Sequence, residues 1–209
     1  ASLEGRPFVY YPLHTEPETA LQSLSPEYFY QHSCIAALSR DLPAGVMLAV
    51  KETYEAVGRR PTDFYGQLAD FKNVVILDSM ELGLEVVNRA NAVATITGTG
   101  GFEAAVMGKP VVTFGCHNQY NFLDHVHVIE DEGELARALR TALADDAVND
   151  TTRRDGARFL AATLASSFDL SGLGHLNVES LEGSAVELSF DALCASVRAG
   201  SETHQGGQA

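Results

Sequence analysis

The residues best suited to chemistry lie in the run Thr97-Gly98-Thr99-Gly100-Gly101-Phe102-Glu103. Two threonine hydroxyls and a glycine-rich backbone can donate to an anion. A helix opening behind the glycines would aim its positive end at the same point. Glu103 is expected in the first turn of that helix, where a carboxylate can accept from sugar hydroxyls. Phosphate beside a polyol is the ligand chemistry such a layout suits. The run is neither of two familiar phosphate loops. Glu103 stands where a dinucleotide fingerprint needs its third glycine, and no Gly-Lys-Ser/Thr follows. The same glycines also suit close packing of a strand against a helix.

Two further clusters carry chemistry-bearing side chains. His14 and Glu16 follow the apolar run Phe8-Val9-Tyr10-Tyr11-Pro12-Leu13 and are the candidates for catalysis, the imidazole orienting a hydroxyl and the carboxylate serving as a base. Lys51 and Glu52 end the run Met47-Leu48-Ala49-Val50, and Arg59 and Arg60 lie in the loop behind them. Cations there suit a pyrophosphate or a sugar carboxylate. His117, with Asn118, Gln119 and Tyr120, follows the strand-like run Pro110-Val111-Val112-Thr113-Phe114 and is expected to line the same pocket. His125 and His127 lie two apart beside Asp124, a spacing that allows a metal, but no third ligand is evident and none is assigned.

These side chains need a scaffold that brings distant strand ends together. Apolar runs over residues 8–13, 47–50, 73–78, 92–97, 110–114 and 126–129 read as six strands. Helical patterns fall between them at 25–38, opening at Ser25-Pro26, at 64–68 and at 81–89, and an amphipathic one follows the sixth strand at 132–143. Continuously apolar strands alternating with helices predict an α/β domain with a doubly wound parallel sheet covered on both faces. The carboxyl ends of the first, second and fourth strands, carrying His14, Lys51 and Thr97, are then expected to open on one side of the sheet. Helices are expected over 151–167 and 180–197. Residues 1–198 are read as one domain with C-terminal helices, and 199–209 as a disordered tail.

The chain has 209 residues, 45% of them hydrophobic, with 14 Lys plus Arg against 28 Asp plus Glu, for a formal charge of −14. So acidic a surface argues against a nucleic-acid polymer as partner, although it leaves a nucleotide ligand open. Cys34, Cys116 and Cys194 are far apart and odd in number, as expected of reduced cytoplasmic thiols. No membrane span or signal peptide is evident. The start at Ala1, close to the first strand, reads as that of a fragment.

Three pieces in order carry a resemblance: Pro12-Leu13-His14-Thr15-Glu16-Pro17-Glu18; Lys51-Glu52 with Gly58-Arg59-Arg60-Pro61; and residues 97–115. Together they resemble the bacterial capsule and surface polysaccharide biosynthesis proteins, a group that includes Kdo transferases. More broadly they resemble the C-terminal, donor-binding half of a GT-B glycosyltransferase. The resemblance covers residues 6–145 and implies a Rossmann-like domain that binds a nucleotide sugar and serves a glycan acceptor. The sugar nucleotide would be its substrate, with no separate cofactor. It implies Glu103 on the ribose, and Lys51, Glu52, Arg59, Thr97, Gly98, Thr99, Gly100, Gly101 and His117 around the donor. The acceptor domain of such an enzyme would precede residue 1. In the group, Lys-Glu is usually followed by His-Pro; here Thr53-Tyr54 stands there, and Glu16 replaces a commoner Gln. A sugar-nucleotide epimerase and a non-catalytic binding module are the alternatives.

Overall fold

The structure, a computed structural model, describes residues 3–28 and 30–167, with Glu187, Phe190, Asp191, Cys194 and Ala195 as isolated helical positions. The rest of the helix expected over 180–197, and the tail 199–209, lie outside the described residues. The chain divides into two compact units, Ala1–Phe159 and Leu160–Ala209. The first unit holds the sheet and every candidate site residue.

Six strands form that sheet: β1 (Phe8–Pro12), β2 (Met47–Lys51), β3 (Val74–Leu77), β4 (Ala92–Thr95), β5 (Val111–Thr113) and β6 (Val126–Val128). All neighbours pair in parallel, in the order β3-β2-β1-β4-β5-β6. The order reverses between β1 and β4, so the connections leave these two strands on opposite faces and a crevice opens at their carboxyl ends. No two consecutive strands can be joined by a tight turn in such a sheet; helices lie in the crossovers from β1 through β5, and the turns of residues 114–125 join β5 to β6.

Alternation along β1 shows how both faces are filled. Val9 and Tyr11 enter one buried cluster with Ile35, Leu38, Phe64, Leu68, Leu135 and Leu139. Phe8 and Tyr10 enter the other with Val86, Val87, Ala104 and Ala105. The first face is covered by α2 (Gln31–Asp41), α3 (Phe64–Ala69) and α6 (Leu135–Ala142), and the second by α4 (Gly83–Arg89) and α5 (Thr99–Val106). The expectation of a doubly wound, two-faced sheet is met.

Several boundaries differ from expectation. The helix expected to run from Ser25 is broken into α1 (Thr19–Leu24), a single 3-10 turn at Pro26–Tyr28, and α2. Tyr30 stands extended at φ −90°, ψ 96°, and the chain restarts at Gln31, whose polar contacts are described below. Helix α4 begins at Gly83 instead of Glu81, and β4 ends at Thr95, two residues early.

Helix α7 (Asp150–Ser166) reaches α5 through glycine. A Cβ on Gly156 would lie 2.5 Å from the Ala105 carbonyl oxygen and 2.6 Å from that of Val106. Phe159 adds edge-on contacts to Phe102 and Phe122, with centroids 5.5 and 5.6 Å apart. Gly156→Ala therefore forces backbone apart despite its better helix propensity. We expect it to destabilise the protein by about 1–3 kcal/mol, as a lowered urea midpoint. An unchanged midpoint would show that α7 does not pack here in solution.

Candidate functional site

The carboxyl ends of β2, β1 and β4 lie side by side, so Lys51, His14 and Thr97 meet at one edge of the sheet. The turn after β4 is tightly specified. Thr97 N–H donates to His14 Nε2 at 3.0 Å, and Gly98 N–H to Thr95 Oγ1 at 3.1 Å. Gly101 N–H turns back to the Gly98 carbonyl. No described residue accepts from the N–H groups of Thr99 and Gly100, which open α5 at its positive end. Thr97 Oγ1 is also buried without a partner. These are the donors an anion would meet.

The glycines of this turn act by their size. Gly98 has φ −79°, and none of the glycines in the turn has a positive φ. A Cβ on Gly98 would sit 3.1 Å from His14 Nε2, and one on Gly100 2.8 Å from Pro12 Cγ. One on Gly101 would strike the Tyr120 hydroxyl. Close approach of α5 to β1 and β4 is what they allow, and it carries the helix start down into the crevice.

Glu103 is the fifth residue of α5, so it belongs to the second turn and not the expected first. The expectation placed Thr99 and Gly100 in the turn, whereas both are already helical. No described residue donates a hydrogen bond to its carboxylate. Partial burial raises its pKa above the ordinary range, and its charge in turn helps to raise that of the buried Tyr10. A half-buried carboxylate without a donor is suited to a ligand hydroxyl.

Beside this turn lies a buried polar cluster built on Arg60, whose side chain is only 2% exposed. Its Nε donates to Glu52 Oε2 at 2.7 Å and its Nη2 to Glu52 Oε1 at 3.1 Å. Nη2 also donates to the His14 carbonyl, and Nη1 lies 3.0 Å from Glu16 Oε2 as an ion pair, off the hydrogen-bonding angle. Glu52 accepts further from Tyr65 Oη at 2.9 Å and from Thr53 N–H at 3.0 Å. Arg60 stacks over Phe64, 5.1 Å from the ring centroid. Glu52 is thus saturated from within the protein. Arg59, by contrast, is exposed, and no described residue pairs with it. Of the two adjacent arginines, it is Arg60 that enters the site.

Lys51 is buried, and its ammonium makes one hydrogen bond, to the Glu52 carbonyl at 3.3 Å. Two donors remain. His117 is exposed on the loop after β5, and no described residue hydrogen-bonds it. Asn118 clamps that loop, with Nδ2 reaching the Ile96 carbonyl at 3.0 Å, Thr113 Oγ1 at 2.8 Å and the Gly115 carbonyl at 3.0 Å. Gln31, fully buried at the start of α2, ties His14 and Glu16 together. It had no signal in the sequence beyond being a polar residue on an otherwise apolar helix face.

His125 and His127 lie elsewhere. β5 and β6 pair from Val111 with Val126, so both histidines are away from the carboxyl-terminal crevice. His125 Nε2 is 2.8 Å from the Ala105 carbonyl, and among the described residues no His, Cys, Asp or Glu cluster could hold a metal. A cavity of about 670 Å³ opens there, lined by both histidines with Asp124, Asp146 and Asp150. Its acidic lining disfavours a phosphate, so size alone does not make it the nucleotide site.

No family model and no curated protein matches this chain. Solved structures do. UDP-GlcNAc 2-epimerase from Methanocaldococcus jannaschii aligns with TM-score 0.52 at 11% identity, over 76% of this chain and 46% of that one. The spinosyn rhamnosyltransferase SpnG, complexed with spinosyn aglycone, aligns with TM-score 0.50 at 16% identity, over 75% and 42%. The beta Kdo 2,4 transferase KpsC from Thermosulfurimonas dismutans gives TM-score 0.49 at 19% identity, over 66% and 44%. The first two show the fold: a Rossmann-like α/β domain of the kind that forms one half of a GT-B glycosyltransferase. The chain spans less than half the length of each of these structures. No described helix is long and apolar enough to cross a membrane.

Proposed function

We propose that this chain is the nucleotide-sugar-binding half of a GT-B-type glycosyltransferase acting in bacterial surface or capsular polysaccharide synthesis in the cytoplasm. The observation that carries this reading is the crevice at the β1–β4 reversal. There, unpartnered N–H groups of Thr99 and Gly100 stand with the unpartnered Thr97 hydroxyl at the start of α5. The leaving diphosphate or monophosphate would sit on these donors, with Lys51 supplying charge. Glu103 would accept from ribose hydroxyls, and His117 would close the pocket from the loop after β5. The polysaccharide role rests on the sequence resemblance of the three motifs. A glycan acceptor and an acceptor-binding domain outside residues 1–209 belong to the same reading.

Thr53-Tyr54 supports the non-catalytic binding module as a second reading. A threonine and a largely exposed tyrosine stand where the resembling group carries His-Pro, so the imidazole nitrogen of that group has no counterpart of the same type here. Both readings retain a nucleotide; only the first turns it over.

Calorimetric and thermal-shift titration with CMP, UDP, GDP and their sugar conjugates tests the shared part. One of these nucleotides should raise the melting temperature of the wild type, as any ligand specific to the native state must. Glu103→Ala should weaken its binding by about tenfold. Equal binding by the variant would remove Glu103 from the site, and binding of none would sink the donor reading.

A further inference from the structure

We propose that His14 is a positioning residue, held in one tautomer by Gln31, that fixes where the anion site at the start of α5 begins. The inference rests on the donor-site reading above for its consequence, but its geometry stands alone.

The chain of assignment starts at the backbone of His14. Its N–H can only donate, and it points at the Gln31 side-chain oxygen, Oε1, 2.7 Å away. Its carbonyl can only accept, and Gln31 Nε2 donates to it at 2.9 Å. Gln31 Nε2 also donates to Glu16 Oε1 at 2.6 Å. An amide turned the other way would set donor against donor at the first contact and acceptor against acceptor at the second. Gln31 Oε1 is therefore the oxygen, and it lies 3.2 Å from His14 Nδ1. Facing an acceptor, Nδ1 must carry the proton. Nε2 is then bare, and Thr97 N–H donates to it at 3.0 Å.

Each link constrains the next, and the end of the chain is the turn itself. With Thr97 N–H committed to His14 and Gly98 N–H to Thr95 Oγ1, both peptides face into the protein. The first free N–H groups are those of Thr99 and Gly100. A Cβ on Gly98 would crowd Thr95 Oγ1 at 3.0 Å and His14 Nε2 at 3.1 Å, so ring and turn are closely fitted to each other. A protonated ring would face Thr97 N–H donor to donor. Burial lowers the His14 pKa to about 4; the Gln31 contact raises it in part, and the Arg60 charge lowers it again. The ring is neutral near pH 7, with both nitrogens occupied. Glu16 acts through the same assembly, since its carboxylate holds the Gln31 amide in register.

Long-range 1H–15N spectra of the labelled full chain test the first half without any ligand. The expected result is a His14 ring with the proton on Nδ1, unchanged between about pH 5.5 and about pH 8. A proton on Nε2, or a titration near the ordinary value of about 6.5, would overturn the proposal. The second half uses two variants. His14→Gln can put a carbonyl oxygen where Nε2 stands, whereas His14→Leu keeps bulk without an acceptor. In titrations with CMP and UDP, His14→Gln should bind within about threefold of wild type and His14→Leu about tenfold or more weakly. Wild-type affinity in His14→Leu would refute the positioning role. If the wild type binds neither nucleotide, the donor reading fails by itself. The ring tautomer and the Thr97 amide resonance, shifted in His14→Leu and restored in His14→Gln, still decide the inference.

Discussion

Arg60→Met is expected to destabilise the fold by about 3–5 kcal/mol, the range for stripping one partner from a buried ion pair. The guanidinium is 2% exposed and serves Glu52, Glu16 and the His14 carbonyl together. Without it, Glu52 keeps Tyr65 and Thr53 N–H as donors but loses its counter-charge in a place where only 4% of its side chain meets water. Arg60→Lys keeps the charge yet cannot reproduce the forked contact to both Glu52 oxygens, so it should recover only part of the loss. Arg60→Met combined with Glu52→Gln removes both charges. It should be less damaging than the sum of the single changes, by about 1–3 kcal/mol. Arg59→Met, on the exposed neighbour, should fall within about 0.5 kcal/mol of wild type. Urea unfolding with a constant m-value measures these variants together with Glu52→Gln alone, which completes the cycle. A cost below about 1 kcal/mol for Arg60→Met would mean that water reaches this cluster in solution.

That pair of arginines shows what the sequence makes legible and what it does not. Two residues of the same type stand next to each other, and nothing in composition tells which one turns inward. The decision is made by the loop, which passes Gly58 at φ +82° and aims Arg60 at Glu52 and the β1 end. Strands were legible because burial on both faces leaves an unbroken apolar run, as in Phe8-Val9-Tyr10-Tyr11, and parallel pairing follows from the helices between. The site turn was legible as a place but not in its mechanics. Glycine signals freedom and small size alike, and here Gly98 at φ −79° and Gly100 against Pro12 show that size is what matters. Gln31 was invisible because its partners, His14 and Glu16, are 17 and 15 residues away, across α1 and a 3-10 turn, and no sequence periodicity links them. Helix starts failed for a related reason. Thr99 and Gly100 read as turn residues, and only their packing against β1 makes them the first residues of α5.

Gly115→Ala is expected to damage both stability and the site. A Cβ at Gly115 would collide with the Ile96 carbonyl oxygen, which belongs to the backbone leading out of β4 and cannot rotate away as a side-chain tip could. That oxygen is also the acceptor for Thr113 Oγ1 at 2.9 Å and for Asn118 Nδ2 at 3.0 Å. The Gly115 carbonyl accepts from Asn118 and Asn121. Relieving the overlap must move the β5 loop away from β4 and loosen these bonds together, at a cost of about 2–4 kcal/mol. Because Ile96 precedes Thr97, the displacement passes into the turn whose N–H groups would hold the ligand. Gly66→Ala provides the opposite case: nothing lies within 4 Å of its Cβ position, and it sits inside helix α3. It should stabilise by about 0.5–1 kcal/mol. Chemical denaturation of the two variants, followed by nucleotide titration, separates the effects. Gly115→Ala should lose affinity beyond what its unfolded fraction explains, and Gly66→Ala should bind as wild type does. Stability lost with affinity intact would show that the β5 loop moves independently of the Thr97 turn.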